Sequence, residues 1–232
     1  MTGRLSPEQQ SLDRPITTEG QLLVEGRTPE MFFREMVAAC ALQNAIEVRT
    51  FGDVSKDNLQ ARLEIFTQKA TFKERVKRLG IIRDAEEGSA ASAFSSVQAA
   101  LRDAGLPAPQ QLSRLEGSPL GVTVFILPNC KDAGMLEDLC LTAATEAEQG
   151  QSGATLPCVD EFFACLERRG KKPINPAKAR FAGYALACDV VDPQLGRAAQ
   201  MGAIPWNAKA FDLLKTFLGL IAGGRGRDGV GG

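Results

Sequence analysis

Apolar and polar positions recur along this chain with two periods, and the switches between them mark its elements. Residues 21–24 form a short apolar run ending in Glu25-Gly26, the pattern of a strand running into a turn. Thr28-Pro29 follows as a helix cap with proline at the first helical position. Phe32, Phe33, Met36, Val37 and Cys40 then recur at helical spacing, which predicts a helix to about Asn44. Residues 45–51 (AIEVRTF) alternate as a second strand, with Ile46, Val48 and Thr50 on one face and Gly52 ending it. Helical spacing returns over 56–68 through Leu59, Leu63 and Phe66, and 77–83 (KRLGIIR) reads as a third strand closed by Asp84-Ala85-Glu86-Glu87-Gly88. A helix over 92–104 stops at Gly105 and Pro107. After a proline-bearing connector at 107–119, residues 121–127 (GVTVFIL) form the fourth and most hydrophobic strand, broken by Pro128-Asn129. Beyond it the spacing is helical at 134–147, 158–169, 176–188 and 208–221, with a linker-like break over 149–157.

Strands alternating with helices predict an α/β fold: a mostly parallel four-stranded sheet flanked by helices on both faces, with a helical C-terminal part. The expected organisation is a loose lead-in at 1–19, an α/β core at 20–148, a helical extension at 149–222 packed on that core, and a flexible glycine-rich tail at 223–232. No internal repeat is evident.

Composition narrows the chemistry. The apolar share of 44% and charged share of 24% are those of an ordinary globular protein. No apolar run approaches the roughly 18 residues of a membrane span, and the polar N-terminus lacks the apolar core of a signal peptide, so a cytoplasmic protein away from membranes is expected. The six cysteines fall at no CxxC spacing and are expected to be reduced. Cys40, Cys140, Cys165 and Cys188 lie within apolar helical patterns as small hydrophobes. There is no histidine, which removes Ser/His and Cys/His nucleophilic sites and the commonest zinc ligand. A metal would then be held by carboxylates, which favours Mg²⁺ or Mn²⁺. With a net charge of −1, nucleic-acid binding would need a local basic face. Two stretches are candidates, Lys69 to Arg83 and Arg168 to Arg180, and each, taken alone, reads first as a solvated face.

Ligands of open parallel sheets collect at the carboxyl ends of the strands. The first strand ends at Glu25, and the third at Asp84 with Glu86 two residues on, so both bring acids to the same edge. Gly26 and Gly88 allow tight turns there. Such carboxylates, from separate chain segments, suit a hard cation with positions left for water and phosphate. The alternative is that they merely cap strands and helix N-termini, where the helix dipole favours negative charge.

VEGRTPEMFF (24–33) and GIIRDAEEG (80–88), each after a strand, resemble the two signatures of a Toprim domain. That compact, Rossmann-like α/β fold carries a glutamate after its first strand and an Asp-x-Asp pair after its third, and occurs in topoisomerases, bacterial primases, recombination mediators, small RNA-processing nucleases and OLD-type nucleases. LPNCKDAGMLEDLCL (127–141) and PAKARFAGYALACD (176–189) resemble, more narrowly, a small stand-alone bacterial Toprim-like family of largely unknown function. The resemblance covers roughly 20–220. It implies Glu25 as general acid/base or metal ligand, Asp84 and Glu86 as Mg²⁺ ligands, and Glu137 with Asp138 as a second cluster. Lys178 would stabilise charge on a phosphate, or else be a solvated lysine in a first helical turn. Arg27 and Arg83 either pair with the acids or contact phosphate. The chain departs from the family in carrying Asp-x-Glu, one methylene longer at the second acid, with Glu87 beside it.

Two carboxylate clusters suit two-metal phosphodiester cleavage without a covalent nucleophile. A Mg²⁺-dependent nuclease acting on DNA or RNA is the leading expectation. A non-catalytic Toprim-like module binding metal or nucleic acid, and a small-molecule phosphohydrolase, are the alternatives. Topoisomerase chemistry is disfavoured, since Tyr184, the only tyrosine, lies in an apolar helical pattern, and no P-loop is present. A homodimer, or an ATPase partner as in the OLD-type proteins, completes the expected partners.

Overall fold

In the computed structural model, which describes residues 11–52, 56–151 and 153–224, the four apolar runs are strands of one sheet. They are β1 (Gly20–Glu25), β2 (Ile46–Gly52), β3 (Arg78–Asp84) and β4 (Gly121–Leu127), all parallel and ordered β2-β1-β3-β4. Parallel neighbours need crossover connections. These are α1 (Arg27–Ala39) between β1 and β2, α2 (Lys56–Thr67) with α3 (Ala70–Arg75) between β2 and β3, and α4 (Ala90–Asp103) between β3 and β4. Then come α5 (Leu136–Glu148), α6 (Leu156–Glu167), α7 (Pro176–Ala187), α8 (Leu195–Gln200), a 3-10 turn at Lys209–Phe211, and α9 (Asp212–Ala222). The chain runs from β1 to β2 on one side and from β3 to β4 on the other. The gap between the carboxyl ends of β1 and β3 is therefore the topological switch point, the place where such sheets bind ligands.

Strand periodicity divides the core into two layers. Leu22, Val24, Ile46, Val48, Ile82, Phe125 and Leu127 pack on one face with Phe32, Phe33 and Met36 of α1 and Phe217 and Ile221 of α9. Leu23, Phe51, Leu79, Ile81, Val122, Val124 and Ile126 pack on the other with Leu63 and Phe66 of α2, Phe72 of α3 and Leu101 of α4. Burying each such side chain is worth about 1.5–3 kcal/mol, so both layers hold the sheet.

The helical C-terminal part is built into the first layer, with α9 lying against β1, β3 and β4. Gly80 makes that approach possible: a Cβ there would stand 2.1 Å from Cδ1 of Ile221.

Several boundaries differ from the expectation. The first helix ends at Ala39 instead of Asn44. Ala41 takes φ 56°, and the N–H groups of Ala41 and Leu42 turn back to the carbonyls of Ala38 and Val37, each at 2.9 Å. This is a helix stop usually made with glycine, and no glycine marks it here. Helices α3 and α8 were not anticipated, because six residues are too few for a helical period to show.

Residues 11–19, expected to be loose, are pinned to the sheet, with Leu12 and Ile16 in the second layer. The buried Arg49 guanidinium donates to the carbonyls of Ser11 (3.0 Å), Arg14 (2.9 Å) and Pro15 (2.8 Å) and to the Glu47 carboxylate (2.6 Å). It also stacks on Phe66, 5.5 Å from the ring centroid. A buried cation persists only when its donors are met in this way. Residues 1–10 of the lead-in and 225–232 of the tail lie outside the described residues.

Candidate functional site

Parallel pairing of β1 with β3 brings Glu25 and Asp84 to the same end of the sheet. At that end the register between β1 and β2 slips: Val24 pairs with Thr50 but Glu25 with Gly52, leaving Phe51 as an extra residue. A bulge of this kind re-aims the strand end where pairing stops. The half-buried Glu25 carboxylate accepts a hydrogen bond from Arg83 Nε at 3.0 Å. The ion-pair reading of Arg83 is thus the one observed.

Asp84 is held by a helix terminus: the Leu136 N–H, at the start of α5, donates to its Oδ1 at 3.0 Å. Its carboxyl is nevertheless pushed up to about 7. Burial is the main cause and Glu137 the next; the Leu136 hydrogen bond opposes the rise, Glu25 adds to it and Lys178 opposes it. Burial also raises Glu137, against the pull of its own backbone N–H and of Lys178.

Glu86 is exposed and sits in the left-handed region at φ 54°. Outside glycine that conformation costs on the order of 1–2 kcal/mol and needs fixing from outside. The fixing comes from Gly134: the Glu86 N–H donates to the Gly134 carbonyl at 2.9 Å, and the Gly134 N–H to the Glu86 carbonyl at 2.8 Å. Gly134, at φ 133°, is itself required, since a Cβ would meet Asp138 Oδ2 at 2.8 Å. The residue that turns the chain after β3 is therefore Glu86 and not the expected Gly88.

These acids line one cleft of about 630 Å³. Glu25, Asp84, Glu86, Glu137 and Asp192 are its acidic lining, and Arg27 and Lys178 line it as cations. Residues of the first turns of α1, α5 and α7 contribute to the wall, the ends at which a helix carries partial positive charge. Phe181 and Ala182 add an apolar patch, and 192–195 close the far side. In the sequence that last segment is marked only by the turn pair Asp192-Pro193.

Two sequence candidates stay out of the lining. Arg83 reaches the cleft only through Glu25, and Asp138 turns away to accept the Met135 N–H on its Oδ2 at 2.9 Å, capping α5. Among the described residues, no group of three or more Asp, Glu, Cys or His side chains is gathered closely enough to hold a metal ion. All six cysteines are free thiols, with Cys140 buried and Cys158 exposed. Among the described residues no helix is long and apolar enough to cross a membrane.

The molecule is thus a parallel α/β protein with an acid-lined cleft at its switch point. Residues 19–222 match the model of a family described as a protein of unknown function, DUF3226, and the chain belongs to that family. No curated protein matches it. No solved structure matches it.

Proposed function

We propose that this protein is a Toprim-like, Mg²⁺-dependent phosphodiesterase acting on nucleic acid, with its centre at Glu25, Asp84, Glu86 and Glu137. The observation that carries the reading is the make-up of the cleft. Asp84, pushed towards protonation by burial and then by the neighbouring Glu137 and Glu25 carboxylates, stands beside Arg27, Lys178 and the starts of α1, α5 and α7. Carboxylates packed against carboxylates call for a cation, whereas cationic side chains and helix ends call for an anion. A metal ion with a phosphate meets both demands.

The donor set fits Mg²⁺ or Mn²⁺. It is all oxygen, and Mg²⁺ is commonly held by one or two carboxylates, waters and substrate phosphate, without a ready-made protein cage. Asp84 and Glu137 are the pair to hold it, with Glu25 and Glu86 within the same cleft. When bound, the ion would activate water and neutralise charge on the phosphate. Lys178 and Arg27 would orient the phosphate, Glu25 would take or give a proton, and Arg83 would aim the Glu25 carboxylate. Asp138 is left as a helix cap.

A non-catalytic binding module is the second reading. It is favoured by the Glu25–Arg83 ion pair and by the lack of a preformed three-ligand group among the described residues.

The test is incubation with supercoiled plasmid, single-stranded DNA and RNA in Mg²⁺, Mn²⁺ or EDTA, beside Glu25→Ala and Asp84→Asn. Metal-dependent cleavage should fall at least about 100-fold in both variants, an ordinary loss for a group acting on the transition state. Cleavage that survives both substitutions sinks the site. Metal binding without cleavage of any substrate moves the protein to the second reading.

A further inference from the structure

The two basic stretches of the sequence meet different fates. In the first, Lys69 pairs with Asp13, Arg78 with Glu19 and Arg83 with Glu25, which leaves Lys73, Arg75 and Lys77 exposed and outside these ion pairs, with the acid Glu74 among them. In the second, Arg180 alone is paired, its guanidinium donating to Asp160 at 2.6 and 2.8 Å. Arg168, Arg169, Lys171 and Lys172 are all exposed, and no ion pair within 4.0 Å engages any of them among the described residues. They crowd the end of α6 and the loop into α7, in a chain whose net charge is only −1.

That loop is tied to the rim of the cleft. Its last residue, Asn175, caps α7 by accepting the Lys178 N–H at 2.9 Å, and its side chain lies 3.6 Å from Sδ of Met135. Met135 immediately precedes Leu136 and Glu137, and follows the Gly134 that holds Glu86. Three residues past Asn175, Lys178 lines the cleft itself. Four exposed cations outside any ion pair thus lie on the loop that ends at the helical turn carrying Lys178.

We infer that the 168–172 segment is the docking surface for the phosphodiester backbone of a nucleic-acid strand that passes from the cleft across the start of α7. This rests on the phosphodiesterase reading and deepens it, because a single phosphate would use Lys178 and Arg27 and have no need of four further charges. A polyanion with regularly spaced charges does have that need, and its affinity comes from displaced counterions. Contacts of this sort position the strand without reading its sequence.

Binding of a labelled single-stranded oligonucleotide in EDTA, followed by fluorescence anisotropy over a range of salt, tests this without cleavage. R168A/R169A/K171A/K172A should bind at least about tenfold more weakly, and the slope of log affinity against log salt should shrink by about 3. The charge-preserving R168K/R169K/K171R/K172R should keep the wild-type affinity. Unchanged affinity and slope in the first variant, or equal loss in both, overturn the inference. Hydrolysis of bis(p-nitrophenyl) phosphate by the wild-type protein in Mg²⁺ reads the cleft separately. Its absence would sink the phosphodiesterase reading while leaving the docking result to stand or fall by itself.

Discussion

Asp84 is the residue at which fold and chemistry pull in opposite directions. Its folded pKa of about 7 lies above the ordinary value of 3.8, so the folded state binds its proton more tightly than the unfolded chain does. The resulting stabilisation is fully present below about pH 4 and is lost as pH rises through 7. At pH 8 in EDTA the protein therefore carries a destabilising charge, and Asp84→Asn should raise the melting temperature. With the site partly open to solvent the gain is on the order of 1–2 kcal/mol, about 2–5 °C, and it should shrink towards zero near pH 4. An equal gain at both pH values would show that charge is not its origin. Saturating Mg²⁺ should stabilise the wild type at pH 8 and do much less for the variant.

Much of the site could be read at this scale, because strand ends of a parallel sheet share an edge. Glu25, Arg27, Asp84, Glu86, Glu137 and Lys178 do line one cleft. What sequence could not divide was Glu137 from Asp138. Neighbours on a helix point about 100° apart, so the two acids need not face the same space, and only the packing of α5 decides. Nor could it see that Arg83 would already be engaged by Glu25.

Among the elements, the strands were the most legible. Their apolar runs are long, and burial on both faces leaves little room for another reading. The short helices α3 and α8 were invisible, and the end of α1 hid behind an alanine doing the work of glycine. The docking of α9 had no local signal at all, since Gly80 and Ile221 are far apart in sequence. Gly80→Ala places a methyl against Ile221 and should cost about 1–3 kcal/mol in urea unfolding, the usual penalty of overpacking. Adding Ile221→Ala should recover part of it, because the second change removes the obstructing side chain; no recovery would place the strain elsewhere.

For the whole molecule, the helical part beyond residue 148 packs into the core of the sheet. Phe181, Tyr184, Phe211, Phe217 and Ile221 share one core with β1, β3 and β4. Urea unfolding should accordingly be a single transition by both circular dichroism and tryptophan fluorescence. A chain ending at residue 148 should not fold to a soluble monomer. Two separated transitions, or a soluble and cooperatively melting 1–148, would show that the sheet folds without the C-terminal helices.

The position of α9 also bears on how the protein comes into being. It is the last described element in chain order, yet it covers the middle of the sheet between β1 and β4. On the ribosome, β1, β3 and β4 emerge long before their lid is synthesised, and one greasy surface waits bare for almost a hundred further residues at about 5–20 residues per second. The nascent chain must therefore delay its final collapse until α9 has been made, and until then this part of the sheet is open to wrong apolar partners.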